Sequence, residues 1–373
     1  MKLRYHLRTT LLAGIGLLTT GLQPVAADDL VSVYQLALEA DPDYQAAIAA
    51  NAAALEILPQ SRAALLPSIG LQGDVSRDRF DPRNSGDTSY STNRIYSLGL
   101  RQPLYQRESF VQLEQADSRV AQADAELLAA RQDLILRVAT RYFLVLGALD
   151  NLDFVQADKQ AIERTLDQAQ QRFEVGLAAI TDTLEAQARY DIAVSDEINA
   201  EQLLADSREA LRELTDVLPV APEILKPEIP LLAPDPANQD QWVSAAVEQN
   251  PLVLAARAAT ETARQEIEVQ RSGHYPSLDM TADYSYLDIR FGGEVDQKRN
   301  DSAIGLELNL PLYQGGLISS RTRQSRELYN QAREEQLQQR RLTERQTRNN
   351  YNGVMSGISK VKALKNAVRS NEK

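Results

Sequence analysis

The sequence predicts an α+β membrane protein, in which long antiparallel coiled-coil helices accompany β-strands that enter a barrel shared between chains. Three observations lead to this prediction. The chain contains two copies of one unit, four segments alternate apolar and polar residues, and heptad patterns run for tens of residues. Only 6% of the 373 residues are aromatic. Ala, Gln, Glu, Arg and Leu dominate instead, a composition typical of long helices.

The first 27 residues have the pattern of a secretory signal peptide. Three basic residues precede a short apolar run at 11–18, and small residues at 25–27 provide a cleavage site. The sequence therefore predicts export with cleavage after Ala27, and a retained membrane anchor is the alternative. No later apolar stretch approaches the ~20 residues that a spanning helix needs.

The composition argues against several classes of function. The chain has no cysteine, so we expect no disulfide, no thiolate metal site and no cysteine-linked lipid anchor. His274 is the only histidine after signal removal, which argues against histidine-based triads and multi-histidine metal sites. A net charge of −12 argues against nucleic-acid binding. We therefore expect no enzymatic activity, no cofactor, no metal and no nucleic-acid partner.

The chain contains one unit twice. Residues of segment 37–68 recur at 246–277 with a constant offset of 209, and both segments end in Pro-Ser. The tetrapeptide Pro-Leu-Tyr-Gln at 103–106 recurs at 311–314 with an offset of 208. An aligned Pro-Leu-Tyr-Gln is much less common by chance than aligned alanines, so the sequence predicts a duplicated half-molecule.

A proline-rich segment separates the two copies. Six prolines lie between residues 219 and 236, and this density is incompatible with a regular helix or a central strand. The first repeat is therefore predicted at 28–218, the linker at 219–237 and the second repeat at 238–373. A long helix is predicted to begin in the second repeat at about residue 315.

Each repeat contains two segments that alternate apolar and polar residues. Alternation over ~9–11 residues is typical of tilted membrane strands. The predicted strands are about 68–77, 94–102, 277–287 and 302–310, with polar loops at 78–93 and 289–301. A soluble sheet with one wet face is the alternative, but it would need a cover for its apolar face, and the flanking helices are too long for that role.

Four strands cannot close a barrel alone, because known barrels begin near eight strands. An open sheet edge is not viable in lipid, so several chains must contribute, and three chains give twelve strands. The polar face would then line a lumen. The residues predicted to line it are Gln72, Asp74, Arg101, Asp279, Asp283 and Glu307. This mostly acidic set predicts a preference for cations.

One helix is predicted from about Arg107 to about Val175, because this stretch contains no proline and follows a heptad pattern. Leucine or valine recurs every seven residues from Leu113 to Leu134, and alanines three positions later complete a coiled-coil seam. At 1.5 Å per residue the helix spans roughly 100 Å. Such a length favours a conduit across the periplasm over a compact domain.

The helix is predicted to turn back at a glycine. Gly176 suits a helix C-cap, and Asp182 with Glu185 has the spacing of a capping box at the start of the next helix. The segment 107–218 is therefore predicted as an antiparallel hairpin with its tip at 175–182. On this pattern alone, capping is the simpler role for Gly176 and Asp182.

Three motifs resemble a known family. They are RFEVGLAAITD at 172–182, NLPLYQGG at 309–316 and HYPSL at 274–278. On these motifs the sequence resembles the TolC family of outer-membrane efflux and type I secretion channels, over essentially the whole mature chain.

The resemblance implies a homotrimer in the outer membrane of a Gram-negative bacterium. Each chain would give four strands to a twelve-stranded barrel and long helices to a periplasmic α-helical tunnel. The function implied is the passive exit duct of a tripartite efflux or type I secretion system. The partners implied are a periplasmic adaptor (membrane fusion) protein, an inner-membrane pump or ABC exporter, and outer-membrane lipid. The residues matching the family's adaptor-docking tip are Val175, Gly176, Leu177, Thr181 and Asp182.

The second repeat departs from the family pattern. Adding 209 to the positions of the first tip leads past residue 373, so the second repeat is expected to be truncated, without its tip and return helix. Two alternatives to the channel function stay open at this stage. One is a periplasmic structural coiled-coil protein, and the other is a non-functional truncated channel copy.

Overall fold

A computed structural model describes residues 29–81, 88–217, 222–226, 229–291 and 294–371. The predicted signal peptide therefore lies outside the described residues. The described elements are, in order, α1 (Leu30–Ala40), α2 (Pro42–Leu55), α3 (Ile57–Ala63), β1 (Ser68–Phe80), β2 (Ser89–Gln106), α4 (Arg107–Glu174), α5 (Ile180–Thr215), α6 (Gln239–Gln249), α7 (Pro251–Ser272), β3 (Ser277–Phe291), β4 (Glu294–Asn309) and α8 (Leu317–Asn371). Among these helices, none is both long and apolar enough to cross a membrane.

The element boundaries follow the sequence repeat. α1, α2 and β1 begin 209 residues before α6, α7 and β3 (30 to 239, 42 to 251 and 68 to 277). α2 and α7 also begin alike, because each has a polar N-cap followed by proline. Asp41 Oδ1 accepts a hydrogen bond from the Tyr44 amide at 2.8 Å, and Asn250 Oδ1 accepts one from the Leu252 amide at 2.9 Å. We therefore propose that the two halves are copies of one ancestral unit.

The four strands form one antiparallel sheet in the order β1-β2-β3-β4. They extend beyond the predicted limits, and the predicted loops at 78–93 and 289–301 are too long. The register continues from Ser76 opposite Asn93 to Phe80 opposite Ser89. The alternation of apolar residues stops before the strand pairing does. Pairing can continue without it because backbone hydrogen bonds need only a facing strand. Sequence alternation therefore marked the apolar part of each strand and missed its polar end.

β2 also extends four residues past its predicted end. It passes through Pro103 with a shift in register between Pro103 and Tyr105, and continues to Gln106 opposite Ser277. A bulge accommodates proline, which has no amide hydrogen for the ladder. The matching segment 311–314 follows β4, an edge strand whose second side has no partner in the part of the chain that the structure describes.

The chain divides into two compact units. One contains the helical segments Tyr142–Arg212 of α4 and α5 and the start of α1. Within it, the small residues Ala186, Ala193 and Ala200 of α5 are buried at seven-residue spacing, as in a close-packed coiled-coil seam. Lys159 of α4 and Glu197 of α5 form an ion pair between the antiparallel helices.

The other unit contains Tyr34–Arg141, Glu213–Asp216 and Leu225–Lys373, and so the whole sheet. In it α7 packs on α8, with Val253 and Val269 buried. Gln115 of α4 is also buried, and its amide donates to the Thr262 carbonyl of α7 at 3.0 Å. This core therefore combines apolar packing with buried polar contacts between helices.

Candidate functional site

The sheet has two faces of opposite character, and its register assigns each predicted lumen residue to one of them. Directly opposed residues of an antiparallel pair lie on the same face. Arg101 is opposite Thr281, and Asp279 is opposite Glu307. The same parity places Gln72, Asp74 and Asp283 with them, since Gly99 is opposite both Gly70 and Asp283. All six predicted residues thus share one face, here called the polar face.

The opposite face, here called the apolar face, is covered by aliphatic side chains. It carries Ile69, Leu71, Val75, Leu98, Leu100, Met280, Ile304, Leu306 and Leu308. Leu71 is 79% exposed and Ile304 is 85% exposed in the single chain. A contiguous exposed surface of this kind marks contact with protein or lipid.

An ion pair links β2 to β3 on the polar face. Arg101 Nη2 lies 2.7 Å from Asp279 Oδ2, and the side chain of Asp279 is only 3% exposed. Glu307 stands directly opposite Asp279 on β4. Two like charges in that position repel each other, so Arg101 offsets a repulsion that the strand pairing imposes. The second carboxylate oxygen, Asp279 Oδ1, is buried and has no hydrogen-bond partner among the residues that the structure describes.

Gly99 makes room for an acidic side chain on the same face. A Cβ placed on Gly99 would lie 3.1 Å from Asp283 Oδ1, closer than ordinary van der Waals contact. Gly99 is directly opposite Asp283 on β3. The absence of a side chain on β2 therefore lets the Asp283 carboxylate lie over the sheet, where it can attract cations.

The hairpin tip begins at a Schellman cap, which confirms Gly176 as the end of α4. Gly176 has φ +75°, and its amide donates to the Phe173 carbonyl at 2.9 Å. The Leu177 amide donates to the Arg172 carbonyl at 2.7 Å. This pair of hydrogen bonds defines the motif and requires a left-handed residue, which glycine adopts without strain. The chain direction after α4 is thus fixed by Gly176.

The predicted capping box at the start of α5 is wrong. α5 begins at Ile180, so Asp182 lies inside the first turn instead of at the N-cap. The Asp182 amide donates to the Ala179 carbonyl at 3.1 Å. A carboxylate in the first turn still stabilises the helix, because it faces the positive end of the helix dipole. Sequence spacing alone does not distinguish these two positions.

Apolar side chains project from the tip into solvent. Leu177 is 72% exposed and Val175 is 69% exposed, while Ile180 and Leu184 are also exposed. Thr181 is exposed too, and its hydroxyl lies 3.4 Å from Asp182 Oδ1. Of the five tip residues predicted from sequence, Val175, Gly176 and Leu177 lie in the connection between α4 and α5. The other two, Thr181 and Asp182, lie in the first turn of α5. Ile180 and Leu184 belong to the same exposed surface, although they were not among the residues predicted from sequence.

A groove runs between α4 and α5 near the tip. Its volume is about 290 Å³, and it is lined by Ile162, Thr165 and Ala169 of α4 and by Asp182, Glu185, Ala186 and Arg189 of α5. Arg189 and Glu185 form an ion pair at 2.7 Å on its α5 side. No single-residue motif signals this groove, because it arises from the spacing of two helices.

A buried ion pair that no sequence motif predicted links α4 to the start of α2 in the first repeat. Arg137 of α4 binds both carboxylate oxygens of Asp41, at 2.8 and 3.0 Å, and also binds Asp133 at 2.7 Å. Burial raises the pKa of Asp41, but hydrogen bonds from Arg137 and the Tyr44 amide outweigh it and hold the pKa below its usual value. The Asp41 hydrogen bond likewise raises the pKa of Arg137.

Similarity to known proteins identifies the family of this chain. The family profile described as "Outer membrane efflux protein" matches residues 33–216 and 242–373. The chain belongs to the outer membrane efflux protein family. It is 37% identical to outer membrane protein TolC of Vibrio cholerae, over 96% of this chain and 81% of that protein. It is 30% identical to alkaline protease secretion protein AprF of Pseudomonas aeruginosa, over 91% and 73% of the two chains.

A solved structure shows the same fold. The outer-membrane channel OprN superposes with a TM-score of 0.74 and 17% identity, over 92% of this chain and 77% of that one. Four antiparallel strands with long helices, the fold of trimeric barrel-and-tunnel channels, confirm the predicted fold class. The predicted family and localisation are also confirmed.

The chain is therefore a non-enzymatic transport protein of the efflux and type I secretion class. It acts in the outer membrane of a Gram-negative bacterium, with its helical part in the periplasm. The family forms trimeric channels that work in tripartite systems.

Proposed function

We propose that three copies of this chain close a twelve-stranded barrel whose lumen is lined by the polar face of the sheet. The single observation that carries the proposal is the separation of the two faces. One face holds the Arg101–Asp279 pair with further carboxylates, and the other is a highly exposed aliphatic surface. An amphipathic sheet of this kind can face water on one side and lipid on the other.

The open edges of the sheet support closure between copies. β1 and β4 are edge strands, and among the described residues each pairs on one side only. Unpaired backbone groups are not tolerated in lipid, so the unpaired sides of β1 and β4 need strands from neighbouring copies. Three such contacts complete a ring of strands with no free edge.

The hairpin tip is the proposed docking point for a periplasmic adaptor, through which an inner-membrane pump or ABC exporter would deliver its substrate. The predicted residues Val175, Gly176, Leu177, Thr181 and Asp182 form this surface. Two exposed apolar side chains, Val175 and Leu177, flank a backbone fixed by the Schellman cap. A rigid apolar surface binds a partner at low entropic cost. In this arrangement the channel is a passive duct, and the pump supplies the energy.

Replacing Leu177 by Glu tests the docking. Leu177→Glu places a charge on the docking surface, so we expect loss of adaptor co-purification and loss of export from cells, while trimers still form. Gln160→Glu is the matched control, because it adds the same charge at an exposed position of α4 away from the tip. Unchanged adaptor capture by Leu177→Glu would exclude the tip as the docking point.

Migration before and after heating tests the barrel. The chain should fractionate with outer membranes and run as a trimer on electrophoresis until it is heated. A chain found only in the soluble periplasmic fraction would refute the barrel and favour a periplasmic coiled-coil protein. This measurement is independent of the adaptor, so the two parts of the proposal fail separately.

A further inference from the structure

The apolar face changes character along its strands. Near the helices its side chains are aliphatic, as at Ile304 and Leu306. Closer to the hairpin turns comes a row of tyrosines, in which Tyr96 stacks on Tyr286 with ring centroids 6.4 Å apart. Tyrosine is enriched where apolar and aqueous surroundings meet. The tyrosine row therefore marks the boundary of the aliphatic band on the side of the hairpin turns.

Basic side chains follow immediately beyond the tyrosines on this same face. We call these residues the basic belt; they are Arg77, Arg79, Arg94, Arg290 and Lys298. The strand register shows that they lie on the apolar face, since directly opposed residues share a face. Arg94 is opposite Val75 on β1 and Asp288 on β3, and Lys298 is opposite Asp288. The belt spans all four strands.

One carboxylate lies in the middle of the belt. Asp288 is only 7% exposed and pairs with Arg290 at 3.1 Å. Arg94 and Lys298 stand directly opposite it on the two neighbouring strands. One negative charge against three positive charges leaves a local excess of positive charge. Asp288 thus holds the cations close together without neutralising them.

The polar face shows the reverse distribution at the same heights. Asp74 and Asp78 of β1 and Asp301 of β4 lie on it, and Arg299 is the basic residue beside them. The chain as a whole carries a net charge of −12. Basic side chains that cluster on one face of an acidic protein indicate an anionic partner on that face.

We infer that the basic belt binds the phosphate groups of lipid headgroups in the outer leaflet of the outer membrane. The inference rests on the proposed barrel, in which the apolar face meets lipid. The helices lie in the periplasm, so the hairpin ends of the strands, and the belt with them, lie on the outer side. Arginine forks match phosphate oxygens in pairs. The neighbouring tyrosines would pack against the same lipid molecule, near its acyl chains.

The position of the belt along the strands agrees with the thickness of a membrane. Lys298 and Leu308 lie on the same face of β4, ten residues apart. At about 3.4 Å per residue they are roughly 34 Å apart along the strand. A strand tilt of about 40° reduces this to about 26 Å along the membrane normal, close to the ≈ 25 Å apolar band of outer-membrane barrels. The belt therefore lies at headgroup height.

Lipid retention by the full-length chain tests the inference. The chain is folded into phosphatidylcholine vesicles that contain lipid A with both phosphates, or lipid A from which the phosphates have been removed. After extraction in mild detergent, the co-purifying lipid A is measured by mass spectrometry over a range of lipid A contents. We expect retention of the phosphorylated form only, with and without a magnesium chelator.

The decisive variant is the double substitution Arg94→Gln with Lys298→Gln. The apparent affinity for lipid A should fall roughly fivefold for each cation removed, and so about 25-fold for the pair. Arg299→Gln is the matched control, because it removes the same charge next to Lys298 on the polar face and should leave retention unchanged. If the double variant does not insert, Lys298→Gln is compared with Lys298→Arg, which should retain lipid as the unmodified chain does.

Several outcomes would overturn the inference. They are equal retention of the dephosphorylated lipid, retention that requires magnesium, or a loss in Arg299→Gln as large as in the double variant. Heat-modifiable migration of the inserted chain is recorded in parallel. It reports the barrel itself, so failure of the belt is distinguished from failure of the proposed fold in lipid.

Discussion

The buried Asp41–Arg137 pair provides the most specific test of how the first repeat is stabilised. Its counterparts in the second repeat, 209 residues later, are Asn250 and Gln346 (41 to 250 and 137 to 346). Both members are charged in one repeat and neutral in the other. We therefore predict that Asp41→Asn together with Arg137→Gln is tolerated far better than the Arg137 substitution alone.

The expected magnitude follows from burial. Asp41 is 2% exposed and Arg137 is 24% exposed. Arg137→Gln leaves a buried carboxylate without its cation, which costs about 3 kcal/mol. Asp41→Asn costs about 1 kcal/mol, because asparagine still caps α2, as Asn250 caps α7, and Arg137 retains Asp133 at 2.7 Å. The double variant should lose about 1.5 kcal/mol, which leaves a coupling energy of about 2.5 kcal/mol.

Urea unfolding of the full-length chain in detergent, followed by circular dichroism at the helix wavelength, measures these free energies. Asp133→Asn is the control. Asp133 also binds Arg137 but is 60% exposed, so its loss should cost less than about 1 kcal/mol. A double variant as unstable as Arg137→Gln would refute the reasoning, since it would mean that the two side chains do not compensate each other.

Three further outcomes follow from the structure. Gly176→Ala should destabilise the hairpin by about 1 kcal/mol because of φ +75°, whereas Gly147→Ala, inside α4 with open space around it, should stabilise it by about as much in the same assay. In planar bilayers the channel should prefer cations; Asp283→Asn should weaken that preference and Arg101→Gln should strengthen it, and anion selectivity would refute the lumen assignment. Because the folded pKa of Asp41 is depressed, its stabilisation should be present above pH 3.8 and disappear as the pH falls further.

The fold could be predicted from sequence where one strong periodicity acts alone. Heptads and the absence of proline predicted the long helix α4. Gly176 marked its end because glycine adopts a left-handed backbone without strain. The strand limits were less accurate, since the polar ends near Arg77 and Arg290 carry no alternation. Pairing at these ends depends on the strand opposite, which the local sequence does not indicate.

The candidate sites divide in the same way. That the six predicted lumen residues share one face followed from the two-residue period, because the strand register places every second residue on the same face. The Asp41–Arg137 pair could not be found by spacing, since 96 residues separate its members. The repeat did contain a signal for it, in the paired change of both positions to Asn250 and Gln346. No local sequence pattern predicted the basic belt, because its residues come together only when the four strands pair.

The duplication also bears on how neighbouring chains would meet in the proposed barrel. β2 of the first repeat meets β3 of the second within the chain, and the Arg101–Asp279 pair spans that contact. If β4 meets β1 of the next copy in the same way, the repeat counterparts are Asn309 and Gly70 (101 to 309 at the offset of 208, 279 to 70 at 209). Neither is charged. Contact between copies would then rest on backbone hydrogen bonds and the shared apolar face, whereas the contact within each chain is additionally fixed by an ion pair. On this reasoning, we predict that the two sheet halves of one chain associate before the three chains close, because the Arg101–Asp279 ion pair has uncharged counterparts between chains.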